Sequence, residues 1–426
     1  MQRYFMPENI LRSAQVDNTY SGKLQINVTS TLGLIPIQDA TVTISYTGVP
    51  DVTIEKLTTD SSGQTQEIDL PAPPLEYSLT PVEQQPYSEY NIQIEAPGYE
   101  PLMISGTEIL PDVTAVQPVS LTPLEETQEQ EELIVIPDHT LYGEYPPKIP
   151  EDEIKPMDES GEIVLSRVVI PEYVVVHDGV PDDPTAPNYY VRYRDYIKNV
   201  VSSEIYATWP ESAIYANTLV IMSFTLNRVY TEWYRNKGYN FTITSSTAYD
   251  QKWMHGRNFY QNIDRIVDSV FANYLSRPGV RQPIFTSYCD GRRVTCNGLS
   301  QWGSKYLGEE GYSAIDIIHY YYGSDMYINT AQSVAGVPSS FPGYNLNIGA
   351  SGEKVRQIQQ QLNRIARNYP AIPTISADGI YGPATAEAVR TFQRIFDLPQ
   401  SGIVDYPTWY SISNIYVGVS RISEPG

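Results

Sequence analysis

A single acidic residue, Glu204, interrupts an apolar stretch of the chain. Val200, Val201, Ile205 and Trp209 flank it in sequence. Apolar surroundings disfavour the charged form of a carboxyl group and raise its pKa. A carboxyl group that stays protonated near neutral pH can act as a general acid. From spacing alone, Glu204 could instead be a solvated carboxylate at a helix start, because Glu is almost never fully buried unless something holds it.

Two separate segments carry the motifs of one known domain. The first has Val-Val-x-x-Glu at residues 200–204, followed by Trp209-Pro210. The second has Ser300-Gln-Trp-Gly303, followed by Tyr320-Tyr-Tyr-Gly323. In this order the motifs resemble the SpoIID/LytB domain. The resemblance implies a lytic transglycosylase that acts on peptidoglycan, with Glu204 as its catalytic acid.

This chemistry needs one carboxyl group where an ordinary glycosidase needs two. The acid protonates the glycosidic oxygen, and the same carboxylate then removes a proton from the substrate's C6 hydroxyl, which closes onto C1. The expected product ends in 1,6-anhydromuramic acid. Glu204 suits this scheme because it is the only acidic residue between Asp195 and Glu211. If the reaction were hydrolytic, Asp250 would be the most credible second carboxylate.

Several other side chains are candidates for contact with the sugar. The predicted substrate-binding residues are Ser300, Gln301, Trp302, Tyr249, Asp250, Gln251 and Tyr288. The first two can hydrogen-bond the glycan or orient the acid, and Trp302 and Tyr288 can stack on a sugar ring. Core packing is the alternative for Trp302, since large aromatic side chains dominate cores. Residues 249–251 fall where the resemblance places a substrate-groove segment.

Size and charge limit the other function classes. A chain of 426 residues is long enough for several domains. Its formal net charge of -22, from 28 Lys and Arg against 50 Asp and Glu, argues against a nucleic-acid partner. The N-terminus lacks the apolar segment of a secretion signal, and no stretch stays apolar for a membrane span. We therefore expect no nucleic acid, no membrane span and no cofactor.

The chain contains two cysteines, Cys289 and Cys296. Their spacing permits a small disulfide loop or half of a metal site, which His255 or His319 would complete. Zinc sites normally show more closely spaced ligand pairs, so no metal is predicted.

The N-terminal part of the chain has the pattern of strands. After a leader at residues 1–21, residues 22–122 alternate apolar and polar side chains in short runs such as 24–28 and 90–94. The pattern predicts an antiparallel β-sandwich, and its turns resemble those of carboxypeptidase-regulatory-like domains. Residues 123–167 then become rich in Glu, Asp and Pro, which predicts an acidic linker or pro-segment that a protease can reach.

The rest of the chain is predicted to form two further domains of a multidomain α+β protein. Residues 168–330 mix helical and strand patterns and form the SpoIID-like catalytic domain, with helices at 213–233, 262–275, 300–307 and 314–322. A linker at 331–347 follows, and residues 348–426 resemble a three-helix peptidoglycan-binding domain with a short tail. The predicted glycan-binding residues there are Asp378, Gly379, Tyr381 and Gly382, which could instead shape a turn.

The chain also departs from the usual SpoIID pattern, for instance at Met222, where the family has Arg. This departure, the order of the domains and the run 299–308 indicate a subgroup that resembles the SleC-type clostridial spore cortex-lytic enzymes. The resemblance implies a zymogen in the cortex and coat region of the spore, made in the mother cell without a signal peptide. A Csp-type serine protease would cut its linker during germination, and the enzyme would then degrade cortex peptidoglycan. A non-catalytic wall-binding or morphogenetic protein and a two-carboxylate muramidase are the alternatives.

Overall fold

The computed structural model describes residues 20–31, 35–124, 132–139, 141, 146–155, 167–331, 333–335 and 341–420. Residues 1–19 of the predicted leader and the acidic run 125–131 lie outside these ranges. Within them, two β-sheets precede a mixed α/β part, and helices form the last part of the chain. The predicted α+β class is therefore confirmed.

Alternation of apolar and polar residues produces the N-terminal strands. In β1 (Ser21–Ser30), Leu24, Ile26 and Val28 are buried, and the residues between them are partly exposed. The other elements of this unit are β2 (Ile35–Pro36), β3 (Thr41–Tyr46), β4 (Val49–Thr58), β5 (Ile68–Pro71), α1 (Glu76–Leu79), β6 (Ser88–Glu95), β7 (Leu102–Ile109) and β8 (Thr114–Leu121).

Short strands and helices alternate in the central part of the chain. Its elements are β9 (Glu132–Val135), β10 (Val169–Ile170), β11 (Tyr173–His177), β12 (Asn188–Arg192), α2 (Tyr193–Glu204), α3 (Glu211–Tyr230), a 3-10 turn (Arg235–Lys237), β13 (Ile243–Thr244), β14 (Phe259–Tyr260), α4 (Gln261–Val270), β15 (Asn273–Ser276), β16 (Tyr288–Cys289), β17 (Leu299–Ser300), α5 (Gln301–Glu309), α6 (Ala314–Tyr322), β18 (Tyr327–Thr330) and β19 (Ser333–Val334). The helix α3 is buried around almost its whole circumference and packs against α2, α4, α5 and α6. A helix with so little polar surface belongs at the centre of a core.

The predicted helix at 262–275 is wrong in its last five residues. The helix α4 ends at Val270, and residues 273–276 form β15, which pairs antiparallel with β18. Short apolar runs suit a helix or a strand equally, so the distant partner strand decides the outcome here.

The N-terminal unit is built on two five-stranded sheets rather than on purely antiparallel ones. One has the order β14-β8-β1-β2, with β5 also paired to β1, and the other has the order β4-β3-β6-β7-β9. The pairs β1–β8 and β7–β9 are parallel. The antiparallel prediction for residues 22–122 is therefore wrong at β1–β8, whereas β9 lies in the predicted linker. Both pairs join strands separated by a long connection, which parallel pairing requires.

Strands from outside the N-terminal unit extend both of its sheets. The strand β9 comes from the predicted linker and adds to β7, while β14 comes from the predicted catalytic domain and adds to β8. Backbone hydrogen bonds therefore connect the N-terminal sheets to the parts of the chain that follow them.

Three helices form the C-terminal unit, namely α7 (Glu353–Ala366), α8 (Pro383–Ile395) and α9 (Tyr406–Ser420). Two buried glutamines occupy equivalent places in α7 and α8. The Gln359 amide accepts a hydrogen bond from Gly379 N at 2.8 Å and donates to Ile380 O at 3.0 Å. The Gln393 amide repeats this arrangement one helix later, with the turn at residues 402–403. Each turn is thus fixed to the helix that precedes it.

Candidate active site

Glu204 is the last residue of α2 and lies at a cleft in the central part of the chain. The helix brings it there because Ile197, Val200 and Val201 are fully buried and hold α2 in the core. The empty space of this cleft is about 370 Å³. Glu204 lines it and is 9% exposed. The cleft is lined by Pro146, Lys148, Glu204, Thr247, Cys289, Asp290, Val294 and Gln301.

Three donors hold the Glu204 carboxyl group in place. Oε1 accepts hydrogen bonds from the Lys252 backbone N–H at 2.8 Å and from the Tyr288 hydroxyl at 3.1 Å. Oε2 accepts a hydrogen bond from the Gln301 amide at 2.9 Å. These contacts fix both carboxyl oxygens at the cleft, and they come from three separate segments of the chain.

Gln301 reaches Glu204 because α5 begins at this residue. Ser300 caps the helix, its hydroxyl accepting a hydrogen bond from Gly303 N at 3.0 Å. The two-stranded sheet of β16 and β17 holds Ser300 beside Cys289. Cys289 and Cys296 form a disulfide, which resolves the two alternatives that their spacing allowed. Ser300 is therefore a helix cap, and Gln301 is the residue of this motif that contacts the carboxyl group.

Tyr288 positions Glu204 through its hydroxyl. Burial raises the pKa of Tyr288 well above its usual value, and the negative charge of Glu204 adds to this effect. The hydroxyl therefore keeps its proton and donates. The ring is 1% exposed, and the Lys148 ammonium lies 3.9 Å from its centroid, over the face that was predicted to stack on a sugar.

Asp250 lies beneath the cleft rather than in it. Its Oδ1 accepts a hydrogen bond from Arg228 Nε at 2.7 Å. Its Oδ2 accepts from the Tyr234 hydroxyl at 2.6 Å and from both the backbone N–H and the hydroxyl of Thr244. The Asp250 carboxylate is fully buried and anchors the loop that ends at Lys252. Because this carboxylate is fully buried, it does not contact solvent.

The residues on either side of Asp250 in sequence also make hydrogen bonds within the protein. The Gln251 amide is fully buried and bonds to Tyr196, to Thr225 and to the carbonyl of Ile221. Tyr249 is half-buried, and its carbonyl accepts a hydrogen bond from Arg228. The predicted groove segment 249–251 thus supports the site from below.

Trp302 is a core residue. It is buried against Trp209, with ring centroids 4.9 Å apart, and against Tyr206. This aromatic cluster packs α5 against the chain that follows Glu204.

Asp290 is the other carboxylate that lines the cleft among the described residues. Its two oxygens accept backbone hydrogen bonds from Arg293 and Val294, so it closes the disulfide loop.

Several residues that shape the site carry no local motif. Lys148 comes from the predicted linker, and Lys252 contributes a backbone N–H that any residue could supply. Arg257 donates to the carbonyl of Ser202 at 2.7 Å, two residues before the end of α2, and pairs with Glu108 of the N-terminal unit. A run of charge in an acidic linker or a lone arginine gives no sequence signal of such a role.

The predicted glycan-binding residues of the C-terminal unit lie in one turn. Asp378 is exposed and accepts hydrogen bonds from the Gln359 amide and from Ile380 N. The Tyr381 ring is buried, and its hydroxyl donates to Gly402 O at 3.0 Å. Of these four residues, Asp378 is the one with a solvent-exposed side chain, and Gly382 is half-buried.

Two family models match separate parts of the chain. Residues 186–274 match the model of the stage II sporulation protein, SpoIID. Residues 351–412 match the model of a peptidoglycan binding domain. The chain is thus similar to SpoIID proteins over one part and to peptidoglycan-binding domains over another, and each match covers less than half of its length. The SpoIID match contains Glu204 and ends before Tyr288 and Gln301.

Solved structures resemble short parts of the chain. They include the Bacillus anthracis TIE protein, at 18% identity over 25% of this chain and 17% of that one, with a TM-score of 0.18. The minor pilin GBS52 of Streptococcus agalactiae has 14% identity over 26% and 47%, with a TM-score of 0.19. A catechol 1,2-dioxygenase of Acinetobacter radioresistens has 16% identity over 29% and 59%, with a TM-score of 0.17. The chain spans less than two thirds of each of them, and at these scores none bears on its fold or function. No curated protein matches the chain.

In the described ranges, no group of three or more His, Cys, Asp or Glu side chains is arranged to hold a metal ion. His255 stacks on Tyr189, and the His319 ring contacts the carbonyl of Met326. Both histidines therefore make contacts that do not involve the two cysteines. None of the helices in this part of the chain combines the length and the apolar character that crossing a membrane needs.

Proposed function

We propose that the chain is a spore cortex-lytic enzyme, a peptidoglycan lytic transglycosylase that cleaves the glycosidic bond between MurNAc and GlcNAc. The SpoIID family is associated with peptidoglycan-lytic activity, and the C-terminal unit provides a means of holding the wall. The observation that carries the proposal is the placement of Glu204 in a cleft, with both carboxyl oxygens oriented by Lys252, Tyr288 and Gln301.

The reaction uses Glu204 twice. As an acid it gives its proton to the glycosidic oxygen of the bound glycan, and the bond to C1 breaks. The resulting carboxylate then removes the proton of the C6 hydroxyl, whose oxygen bonds to C1 and closes the 1,6-anhydro ring. No water is consumed. Tyr288 and Gln301 donate to the carboxylate between these two steps and so stabilise its charge.

A muramidase with Asp250 as its second carboxylate is disfavoured by the surroundings of that residue. A second carboxylate in such an enzyme must reach a water or the sugar itself. Asp250 is fully buried beneath Arg228, Tyr234 and Thr244. The non-catalytic alternative is disfavoured because a protein that merely holds the wall has no need of an oriented carboxyl group in a cleft.

Product analysis tests the proposed reaction. We expect purified cortex peptidoglycan digested with the protein to release fragments that end in 1,6-anhydromuramic acid. These are lighter by one water than hydrolysis products, and they resist borohydride reduction because they have no reducing end. Mass spectrometry before and after reduction distinguishes the two. Reducing ends would favour a muramidase, and an undigested cortex would favour the wall-binding alternative.

Regulation by proteolysis is part of the proposal. The protein would be made in the mother cell, stored as a zymogen in the cortex and coat region, and cut by a Csp-type serine protease during germination. The acidic run 125–131 between the described parts offers a place for the cut. An N-terminal unit joined to the enzyme by this tether acts on it at high effective concentration.

Cutting the linker tests the zymogen. We expect a chain with a specific protease site placed in residues 125–131 to gain about tenfold or more in cortex digestion after the cut, because the tether is lost. This gain requires the two pieces to separate. We therefore expect them to elute apart once the cut sample is diluted below the concentration at which the β9–β7 and β14–β8 pairs hold them together. An uncut chain that is as active as the cut one would rule out control by this linker.

A further inference from the structure

Two residues of the segment 146–155, which belongs to the predicted linker, line the candidate active site. Pro146 and Lys148 form part of the same cleft wall as Glu204 and Gln301. The SpoIID match begins at residue 186, so this wall lies outside it. A spacer has no reason to place a side chain in a catalytic cleft, and the contacts of this segment therefore need an explanation.

Specific bonds hold the 146–155 segment against the central part of the chain. Ile149 N donates to Ala248 O at 2.9 Å, and Phe285 N donates to Glu153 O at 2.9 Å. Glu151 accepts two hydrogen bonds from the buried Arg228 guanidinium, at 2.6 and 2.8 Å. A bidentate pair of this kind fixes geometry as well as energy.

The end of the segment is held just as closely. Lys155 N donates to the Gln282 side chain, which in turn donates to Lys155 O, both at 3.0 Å. The Lys155 ammonium pairs with Glu151 at 2.7 Å. The backbone that carries Lys148 is therefore anchored after this residue by contacts of three kinds.

The Lys148 side chain reaches inward from this backbone. Its Nζ donates to Asp250 O at 3.0 Å and lies 3.9 Å from the centroid of the Tyr288 ring. The Tyr288 hydroxyl donates to Glu204 at 3.1 Å. Burial lowers the pKa of Lys148, while the charges of Glu204 and Asp250 oppose that effect. An ammonium has three N–H donors. The Asp250 carbonyl and the Tyr288 ring meet two of them, and the Phe224 ring lies farther away, with its centroid 5.6 Å from Nζ.

We propose that Lys148 is a substrate-positioning residue of this cleft, whose remaining N–H binds an oxygen of the glycan opposite Glu204. The inference rests on the proposed function and adds a residue to its site. A neutral oxygen, from a hydroxyl or an N-acetyl group, suits the position better than a carboxylate, because Glu204 and Asp290 already line the cleft. The same ammonium holds the Tyr288 ring and with it the hydroxyl that orients Glu204.

The position of Lys148 in the chain bears on activation. The 146–155 segment follows the acidic run, so a cut within 125–131 leaves Lys148 attached to the catalytic part. The smallest active unit then begins before residue 146 and not at residue 168, where the sequence pattern places the start of the domain.

Kinetics of Lys148 variants of the full chain, cut in the acidic run, test the proposal. Lys148→Met keeps the length and the apolar stem but removes the donors. We expect kcat/KM on cortex glycan strands to fall by about 10- to 100-fold, the effect of losing a hydrogen bond from a charged donor, chiefly through KM. Lys148→Arg should restore most of the loss. Ile149→Ala, on the exposed side of the same segment, is the matched control and should change little.

A binding measurement separates this proposal from the proposed function. The measurement uses chains that carry Glu204→Gln, because binding can be followed without turnover. In this background we expect Lys148→Met to weaken the binding of peptide-free glycan strands about tenfold. The C-terminal unit is the same in both variants, so the difference reports on the cleft. Unchanged kcat/KM and binding would overturn the role of Lys148. A rise in activity would also overturn it, because it would show that the segment blocks the cleft. Failure of the unsubstituted chain to cleave glycan would instead count against the proposed function.

Discussion

Replacing Glu204 by Gln should lower the rate of glycan-strand cleavage by about 10²- to 10⁴-fold, the range over which a positioned general acid acts. The amide has nearly the shape of the carboxyl group, and its oxygen can still accept from Lys252 N and the Tyr288 hydroxyl. It can neither donate an acidic proton nor take one back. Release of anhydro-muropeptides from cortex, followed by mass spectrometry, measures the loss.

The expected effect is on the chemical step and not on folding. Glu211, which is exposed at the start of α3, supplies the matched control. Its replacement by Gln makes the same chemical change seven residues along the chain, and we expect it to leave the rate within a factor of about two, as for most surface substitutions. Full activity in the Glu204→Gln variant would remove the acid from the proposed mechanism.

Replacing Glu108 by Gln should cost about 3–5 kcal/mol of stability, because it leaves a buried charge without its partner. Arg257 donates to both oxygens of Glu108, at 2.7 and 2.8 Å, and both side chains are almost fully buried between the N-terminal unit and the central part. Arg257 also donates to Ser202 O, near the end of the helix that carries Glu204. Urea unfolding followed by tryptophan fluorescence measures the change.

Two comparisons identify the unpaired charge as the cause. The exposed pair of Lys23 and Glu67 lies in the same unit, and Glu67→Gln should cost no more than about 1 kcal/mol. The double variant Glu108→Gln with Arg257→Met should be more stable than Glu108→Gln alone, since the buried charge is gone. If Glu108→Gln were no worse than Glu67→Gln, the N-terminal unit would be held by its strands and apolar contacts alone.

The same cluster should make stability depend on pH. Burial, together with the charge of Arg257, lowers the pKa of His139, so the folded chain takes up this proton at a lower pH than the unfolded chain does. Below the ordinary histidine pKa of about 6.5 the unfolded chain then binds more protons than the folded one, and stability falls as the pH decreases. Although burial opposes it, Arg257 and His139 lower the pKa of Glu108, which adds a further loss at more acid pH. His139→Gln should flatten the first part of this decline in urea unfolding.

Local sequence patterns were sufficient for the elements with strong end signals. The predicted helix at 314–322 coincides with α6, where Ser313 and Asp316 form a capping box. The alternation in β1 predicted its buried face correctly. By contrast, residues 273–276 became a strand because β18 lies beside them, and a single sequence gives no information on such a partner.

The residues of the candidate site also divide into those whose place the sequence predicted and those whose place it did not. Two motifs predicted that Glu204 and Gln301 would lie together, and they are 2.9 Å apart in the fold. The groove segment 249–251 was predicted to face the sugar, yet Asp250 and Gln251 bond to residues of the core. Their polar side chains look alike in sequence whether they meet a ligand or Arg228, because burial depends on elements far along the chain.

By itself, then, the sequence determined the order of the parts, the two domains that family models match and the carboxyl group on which the proposed chemistry depends. The tertiary structure alone decided that Lys148 of the linker enters the cleft and that Glu108 of the N-terminal unit pairs with Arg257. The physical reason is the separation along the chain over which each kind of signal acts. Periodicity and caps act within a few residues, whereas a buried charge must find its partner wherever the fold brings one within reach.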